Sequence, residues 1–293
     1  MAIQQRDIYR GRIAPTPSGY LHLGHARTFW IAQERARKSQ GSLIFRNEDI
    51  DYARCKPEYV DAMIEDLRWF GFEWDEGPDI GGYHMPYIQS QRIPHYLNVW
   101  EKLYKLGAIY PSSHSRKDVL NALSAPHEGD TEPVYPPQLR PSEISVTPVS
   151  GPGKTNWRFR VPDGKSVHFI DYRVGKVKFT AGKDFGDFIV WRKDGFPSYE
   201  MAVVADDQSM GITEVVRGED LLLSTARQLL LYRALNWPPP AYYHCPLLCD
   251  DRGERLAKRH DSLSLRKLRQ GGTTPESLRK SRNFIESDEC LVD

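Results

Sequence analysis

Along the first hundred residues, apolar positions switch between two spacings. Leu43-Ile44-Phe45 is a short apolar run that reads as a buried strand and leads into the acids Glu48, Asp49 and Asp51. From Lys56 to Phe70 the spacing becomes helical, with Val60, Met63, Ile64 and Leu67 on one face and Pro57 near the start. Tyr96 to Leu106 continues the helical pattern. Strand and helix in alternation predict an α/β fold with a parallel sheet and a ligand site at the strand ends. Between Tyr110 and Lys154 the pattern breaks down: Pro, Ser, His and charged residues dominate, and Pro136-Pro137 and Pro141 interrupt any regular element, which marks an insertion. His168 to Tyr172 and Lys176 to Phe179 flank Gly175 as a hairpin. Asp187 to Trp191 and Tyr199 to Ala205 are expected to resume the sheet, and Leu221 to Leu235 to form a largely buried helix. No internal repeat is visible.

The segment from Arg12 to His25 carries the clearest chemistry. It places a Pro- and Gly-rich turn where a strand should become a helix, with His22 and His25 three residues apart at the helix mouth. Gly19 is expected to supply a backbone conformation that other residues resist. A helix N-terminus opening on such a turn presents unsatisfied N–H groups to an anion, as a nucleoside triphosphate site requires. A metal pair formed by the two histidines is the weaker reading, because no third ligand is obvious nearby.

Composition narrows the partners more than the fold. Forty basic against thirty-nine acidic residues leave a net charge of +1, so any RNA contact must come from local patches. The first residues lack the basic start and apolar run of a signal peptide, and no apolar stretch reaches the length of a membrane span, so a cytoplasmic protein is expected. Cys55, Cys245, Cys249 and Cys290 are too few and scattered for a disulfide framework. Cys245 and Cys249 read better as buried thiols than as metal ligands. Trp157-Arg158-Phe159-Arg160 reads better as a strand with one buried face than as an RNA contact.

Pro15-x-Pro17-x-Gly19 followed by Leu21-His22-x-Gly24-His25 resembles the HIGH signature of class I aminoacyl-tRNA synthetases, and Arg12-x-Ala14-Pro15-Thr16-Pro17-Ser18-Gly19 resembles their glutamate-specific branch. Arg255-Leu256-Ala257-Lys258-Arg259 is similar to the second signature, KMSKS, with Arg255 for the first lysine and Ala257 for the serine. Arg46-Asn47-Glu48-Asp49-Ile50-Asp51, the segment around Tyr199, and Val215-Val216-Arg217-Gly218-Glu219-Asp220-Leu221 follow in the order of that branch. The resemblance implies a Rossmann-type catalytic domain with an α+β insertion. Residues 1–109 would form its first half, 110–182 the insertion, an acceptor-binding and zinc-like region with degenerate zinc ligands, 183–250 the second half, and 251–293 the second-signature loop and a short tail.

The same resemblance assigns roles. Arg12, Ile13, Ala14, Pro15, Thr16, Glu48, Tyr199 and Arg217 would bind L-glutamate. Gly24 and Lys258 would bind ATP, and His22, His25 and Lys258 would stabilise charge on its phosphates, together with Mg²⁺. Many relatives hold structural zinc in the insertion, but the aligned positions here are Ser112, His114, Tyr135 and Leu139, which cannot supply a four-coordinate site. Zinc is therefore not expected, and the insertion is expected to be held by packing alone.

Glutamate-specific enzymes ordinarily continue into a helical domain that grips the anticodon, whereas this sequence stops at Asp293. That pattern resembles the glutamyl-Q tRNA(Asp) synthetases, which activate glutamate without tRNA and attach it to the queuosine base of tRNA(Asp). The resemblance implies L-glutamate, ATP and queuosine-bearing tRNA(Asp) as partners of a monomer. A truncated glutamyl-tRNA synthetase that charges a 3′ end and a catalytically silent RNA-binding paralogue stay open as alternatives.

Overall fold

The computed structural model describes residues 8–114, 118–119, 134–144, 149–248, 264–281 and 284. Nine strands occur among them: β1 (Arg10–Ile13), β2 (Ser42–Phe45), β3 (Ile109–Ser112), β4 (Asn156–Phe159), β5 (Ser166–Asp171), β6 (Gly175–Thr180), β7 (Phe188–Trp191), β8 (Glu214–Gly218) and β9 (Ala241–Cys245). The helices are α1 (Leu23–Lys38), α2 (Pro57–Phe70), α3 (Ile93–Lys105), α4 (Tyr199–Ser209), α5 (Leu222–Ala234), α6 (Leu265–Gln270) and α7 (Pro275–Arg279).

Two parallel strand pairs form the frame. β1 runs beside β2 from Arg10↔Ser42 to Ile13↔Phe45, and β8 beside β9 from Glu214↔Ala241 to Gly218↔Cys245. β1 also lies against β8: Thr213 N–H donates to Arg10 O at 2.9 Å, and Arg12 Nη1 donates to Val216 O at 2.9 Å. The spatial order is thus β2, β1, β8, β9, and the carboxyl ends of these strands open on one side, as a doubly wound sheet requires of its ligand crevice. α1 covers this frame, burying Phe29, Ile31 and Ala32 in a core shared with Leu43, Phe45, Leu67, Phe70 and Tyr243. A larger core joins α3, α4 and α5 to the remaining strands around Tyr96, Trp100, Trp157, Val190 and Leu231.

The hairpin forms as expected, with β5 and β6 paired from Ser166↔Thr180 to Asp171↔Gly175, and Gly175 at φ +84° supplies the turn. β5 then joins the frame through Asp171↔Tyr242. Two other expectations need correction. Phe188 to Trp191 is a strand, but it pairs antiparallel with β4 in a separate sheet of order β3-β4-β7. Tyr199 to Ala205 is helical, not a strand. The Ser198 hydroxyl caps the Met201 N–H, and Met201 through Ala205 are all buried, so the run reads like a buried strand although its length and cap are those of a helix.

Trp157, Arg158 and Phe159 are all buried, which puts this strand inside the structure on both faces. No described helix is long and apolar enough to cross a membrane.

Candidate active-site cleft

The carboxyl ends of β1, β2, β8 and β9 and the N-terminus of α1 enclose a cleft of about 660 Å³. Arg12, Ala14, Pro15, Thr16, His22, Gly24, His25, Glu48, Tyr199 and Arg217 all line it, so ten of the residues expected from sequence converge. Ile13 does not: it is fully buried beneath the cleft, because alternate side chains of β1 point to opposite faces and its own joins the core. Lys258, Arg255 and Cys249 lie outside the described residues. Leu248 lines the cleft, and Ser264 bridges to His22.

At the helix end, His22 is the N-cap of α1. Its Nδ1 accepts the Gly24 N–H at 3.1 Å, while the His22 N–H faces His25 Nδ1 at 3.4 Å. Both Nδ1 atoms face backbone N–H groups, so a neutral ring at either position carries its proton on Nε2. The rings stack with centroids 3.7 Å apart. A Cβ at Gly24 would lie 3.0 Å from His22 Cε1, so any larger residue there would press on the His22 ring. Gly19 is not held in a left-handed conformation and a Cβ there would meet nothing within 4 Å, contrary to expectation. The first turn of α1 carries no acid and the last carries Arg35, Arg37 and Lys38, so the positive end of the helix dipole faces the cleft uncompensated.

At the opposite end the side chains are charged and nearly buried. Arg12, Arg217 and Glu48 are only 4–5% exposed. Arg217 Nη2 donates to Thr225 Oγ1 at 2.7 Å and Gln228 Oε1 at 2.9 Å, and its Nη1 reaches the Tyr199 hydroxyl at 3.4 Å. Its Nε faces His244 Nε2 at 3.3 Å. His244 in turn donates through Nδ1 to Asp171 Oδ2 at 2.7 Å, which leaves Nε2 as the acceptor that Arg217 needs. Burial holds the His244 pKa below its ordinary value, with the Arg217 charge adding to the effect against Asp171. Burial opposes the Asp171 charge, but hydrogen bonds from His244 and from the Val174 and Arg173 N–H groups outweigh it and hold its carboxyl below the usual range.

A second pair of acids positions the other clamp. Arg46 Nη2 donates to Glu48 Oε1 at 2.8 Å, and Arg46 Nη1 to Asp207 Oδ1 at 2.7 Å. Asp207 also lies 3.7 Å from Arg12 Nε, a buried atom without a hydrogen-bond partner among the described residues. Burial pushes the Glu48 carboxyl up despite Arg46, and pushes the Tyr199 hydroxyl up as well. Cationic Arg12 and Arg217, anionic Glu48 and the Tyr199 hydroxyl together match the carboxylates and ammonium of an acidic amino acid.

Sequence reasoning missed His244, Asp171, Thr225, Gln228 and Asp207. A histidine inside the apolar stretch Tyr243 to Leu248 was a usable signal, as were Thr225 and Gln228, buried polar residues three apart on a largely apolar helix.

The four positions aligned with a zinc site in the insertion also converge, around the Tyr135 hydroxyl. It lies 3.0 Å from His114 Nδ1 and 3.3 Å from Ser112 Oγ, and it donates to Leu139 O at 3.2 Å. One imidazole with a hydroxyl, a phenol and a backbone carbonyl does not make the four-ligand thiolate and imidazole set that zinc prefers. This cluster corrects the expectation of packing alone. Arg158 adds to it by lying 4.1 Å from the Tyr135 ring centroid, while Arg140 and Tyr110 bind Asp187.

A glutamyl-Q tRNA(Asp) synthetase of Symbiobacterium thermophilum is 48% identical over 273 residues, covering 92% of this chain and 83% of the relative. Another, of Nitratidesulfovibrio vulgaris, is 46% identical over 269 residues, covering 90% and 82%. Among solved structures, a glutamate tRNA ligase from Elizabethkingia meningosepticum, in complex with its amino acid, superposes with a TM-score of 0.74 at 29% identity. That match takes in 90% of this chain and 53% of the ligase, so the chain spans about half the length of the solved relative. Residues 9–284 match the family described as tRNA synthetases class I (E and Q), catalytic domain, and the chain belongs to that family.

Proposed function

We propose that the protein activates L-glutamate with ATP and transfers the glutamyl group to the queuosine base of tRNA(Asp). The observation that carries this reading is the cleft's polarity: a helix N-terminus with two histidines at one end, and the Arg12, Glu48, Tyr199 and Arg217 clamp at the other. One end suits a triphosphate and the other a dicarboxylic amino acid, and both relatives above carry the name of an enzyme that joins such substrates.

Arg12 and Arg217 would hold the glutamate carboxylates, and Glu48 its ammonium, so that an α-carboxylate oxygen faces the α-phosphorus. Attack forms the oxygen–phosphorus bond of glutamyl-adenylate while the bond to the bridging oxygen breaks and pyrophosphate leaves. Protein donors stabilise the charge on the leaving group: the Nε2–H groups of His22 and His25, the N–H groups of α1, and Lys258. A queuosine hydroxyl then attacks the activated carbonyl, losing its proton as AMP departs, so no protein nucleophile is needed. Mg²⁺ bound to the triphosphate would neutralise phosphate charge. Among the described residues, no group of three acidic, histidine or cysteine side chains is placed to hold a metal ion.

Pyrophosphate exchange that depends on glutamate and proceeds without tRNA tests the first step. Labelled glutamate offered with queuosine-containing and queuosine-lacking tRNA(Asp) tests the second: label is expected only on the former. Periodate-sensitive attachment to the 3′ end of unmodified tRNA would replace the second step with ordinary charging.

A further inference from the structure

The hairpin carries a surface that the cleft does not use. β6 is the edge of its sheet, and cross-strand pairing puts His168 opposite Lys178 and Ile170 opposite Lys176. Val167, Phe169, Val177 and Phe179 alternate with these residues and turn inward, so the four share the solvent side. Ile170 is 69% exposed, and Tyr172 at the tip is 61% exposed.

Charge is a second feature of this face. Arg266 is matched by Glu65, Arg279 by Glu276 and Lys105 by Glu101. Lys165, Lys176 and Lys178 make no ion pair with any described residue, in a chain whose net charge is only +1. Lysines on an edge strand can serve to repel other strands. That purpose does not account for exposed Ile170 and Tyr172 beside them, since apolar groups on an edge invite association. Unpaired ammonium groups next to an exposed aromatic ring instead complement a nucleic-acid strand, with lysines on phosphates and the ring against a base.

Position supports the same partner. The Tyr172 N–H donates to Tyr242 O at 2.9 Å, and Arg173 binds both His244 O and Glu219. Glu219 also accepts the N–H of Leu247, a wall residue of the cleft, at 3.4 Å. The tip therefore abuts the cleft, and six residues of β6 provide a track of about 20 Å leading to it.

We infer that the exposed face of β5 and β6 docks the tRNA backbone next to the nucleotide that receives the glutamyl group. The inference rests on the transfer reading above. Its test is the full-length double variant Lys176→Glu/Lys178→Glu, assayed with queuosine-containing tRNA(Asp). The tRNA KM should rise at least about tenfold, and the slope of log affinity against log salt should flatten by about 1.5, two phosphate contacts' worth. Glutamate-dependent pyrophosphate exchange without tRNA should stay at the parent level, which also reports intact folding. Lys176→Gln/Lys178→Gln should fall between parent and reversal, and Tyr172→Ala should raise the tRNA KM without altering the salt slope. Unchanged tRNA KM and slope in the charge reversal overturn the inference while leaving adenylate formation standing. So does loss of binding to phosphatidylglycerol vesicles with tRNA affinity intact. If the parent shows no exchange at all, the adenylation reading fails, and direct titration of parent and variant with the same tRNA still decides the surface.

Discussion

Two buried polar clusters in this protein use similar parts and end differently. Around Arg217, hydrogen bonds run from Asp171 through His244 to a guanidinium that lines the cleft. Around Tyr135, they run from Ser112 and His114 through a phenol to the carbonyl of Leu139, and close within the protein. The first delivers an oriented positive charge to a cavity, which is what a ligand clamp needs. The second satisfies its own members and holds an irregular segment together. Where a polar network ends, on an open cavity or on the backbone, separates a binding device from a structural one better than its residue types do.

The sharpest break of the comparison is Arg217→Ala. It removes a buried, charge-assisted donor and leaves His244, Thr225 and Gln228 without their shared partner, so kcat/KM for glutamate should fall about a thousandfold, on the order of 4 kcal/mol. Arg217→Lys should rescue little, because an ammonium lacks the planar fork that meets several acceptors at once. Glutamate-dependent pyrophosphate exchange measures both, and near-parent rates in either variant would remove Arg217 from the clamp.

Asp171→Asn and His244→Gln act one step back and should cost less. Each loosens the orientation of Arg217 without removing its charge, so the KM for glutamate should rise about tenfold while the ATP KM stays unchanged. The pair also sets an acid limit on stability. The His244 pKa is lowered on folding, so below about pH 6.5 the unfolded chain binds a proton that the folded chain refuses, and stability falls as pH falls. Asp171, lowered as well, adds a loss in the same direction at more acidic pH. His244→Gln should therefore show a weaker decline in thermal stability between about pH 7 and 5 than the parent. Identical declines would mean that the dyad does not titrate as its surroundings require.

How much of this was legible in sequence follows from the same distinction. The clamp residues Arg12, Glu48, Tyr199 and Arg217 sit in recognisable segments because each meets the ligand itself. His244 and Asp171 support the clamp from strands 73 residues apart, and only the pairing of β5 with β9 brings them together. In the fold, α2 and α3 were visible from helical spacing, which an amphipathic segment displays by itself, and α5 from the length of its largely apolar run. α4 was not, because burial on all sides erases the period that separates a helix from a strand. The antiparallel partner of β7 is a long-range choice that no local pattern encodes.

Glu48 gives a pH-dependent test of the clamp. Its carboxyl is pushed up by burial, so as pH falls it takes a proton before an ordinary glutamate would and loses its attraction for the substrate ammonium. The acid limb of kcat/KM for glutamate should lie above the ordinary carboxylate range and should vanish in Glu48→Gln, whose neutral-pH activity should be about tenfold lower. The sign for stability is opposite to that of Asp171: a raised folded pKa favours the folded chain at low pH, and that contribution is lost as pH rises through the shifted value. An acid limb that persists in the variant would assign it to another group, with His22 and His25 as the next to examine.

The smallest expected effect lies in the closed cluster, and its value is in what should not change. Tyr135→Phe keeps the ring under Arg158 but deletes the hydroxyl that His114, Ser112 and Leu139 share. Losing such a buried hub costs about 1–2 kcal/mol, which for a chain of this size is a drop of about 2–4 °C in Tm or somewhat more. Pyrophosphate exchange with glutamate should be untouched, since no member of the cluster lines the cleft. A chelator should leave the parent's Tm where it is, because hydroxyls, an imidazole and a carbonyl bonded to one another give up no folding energy when metal is withdrawn. A parent that loses several degrees to chelator, or that carries one zinc per chain by elemental analysis, would show that a metal holds this segment, and the ligands would then be sought among His114 and the residues between 115 and 133. A Tyr135→Phe variant with lowered exchange would break the comparison itself, since the cluster would then reach the cleft.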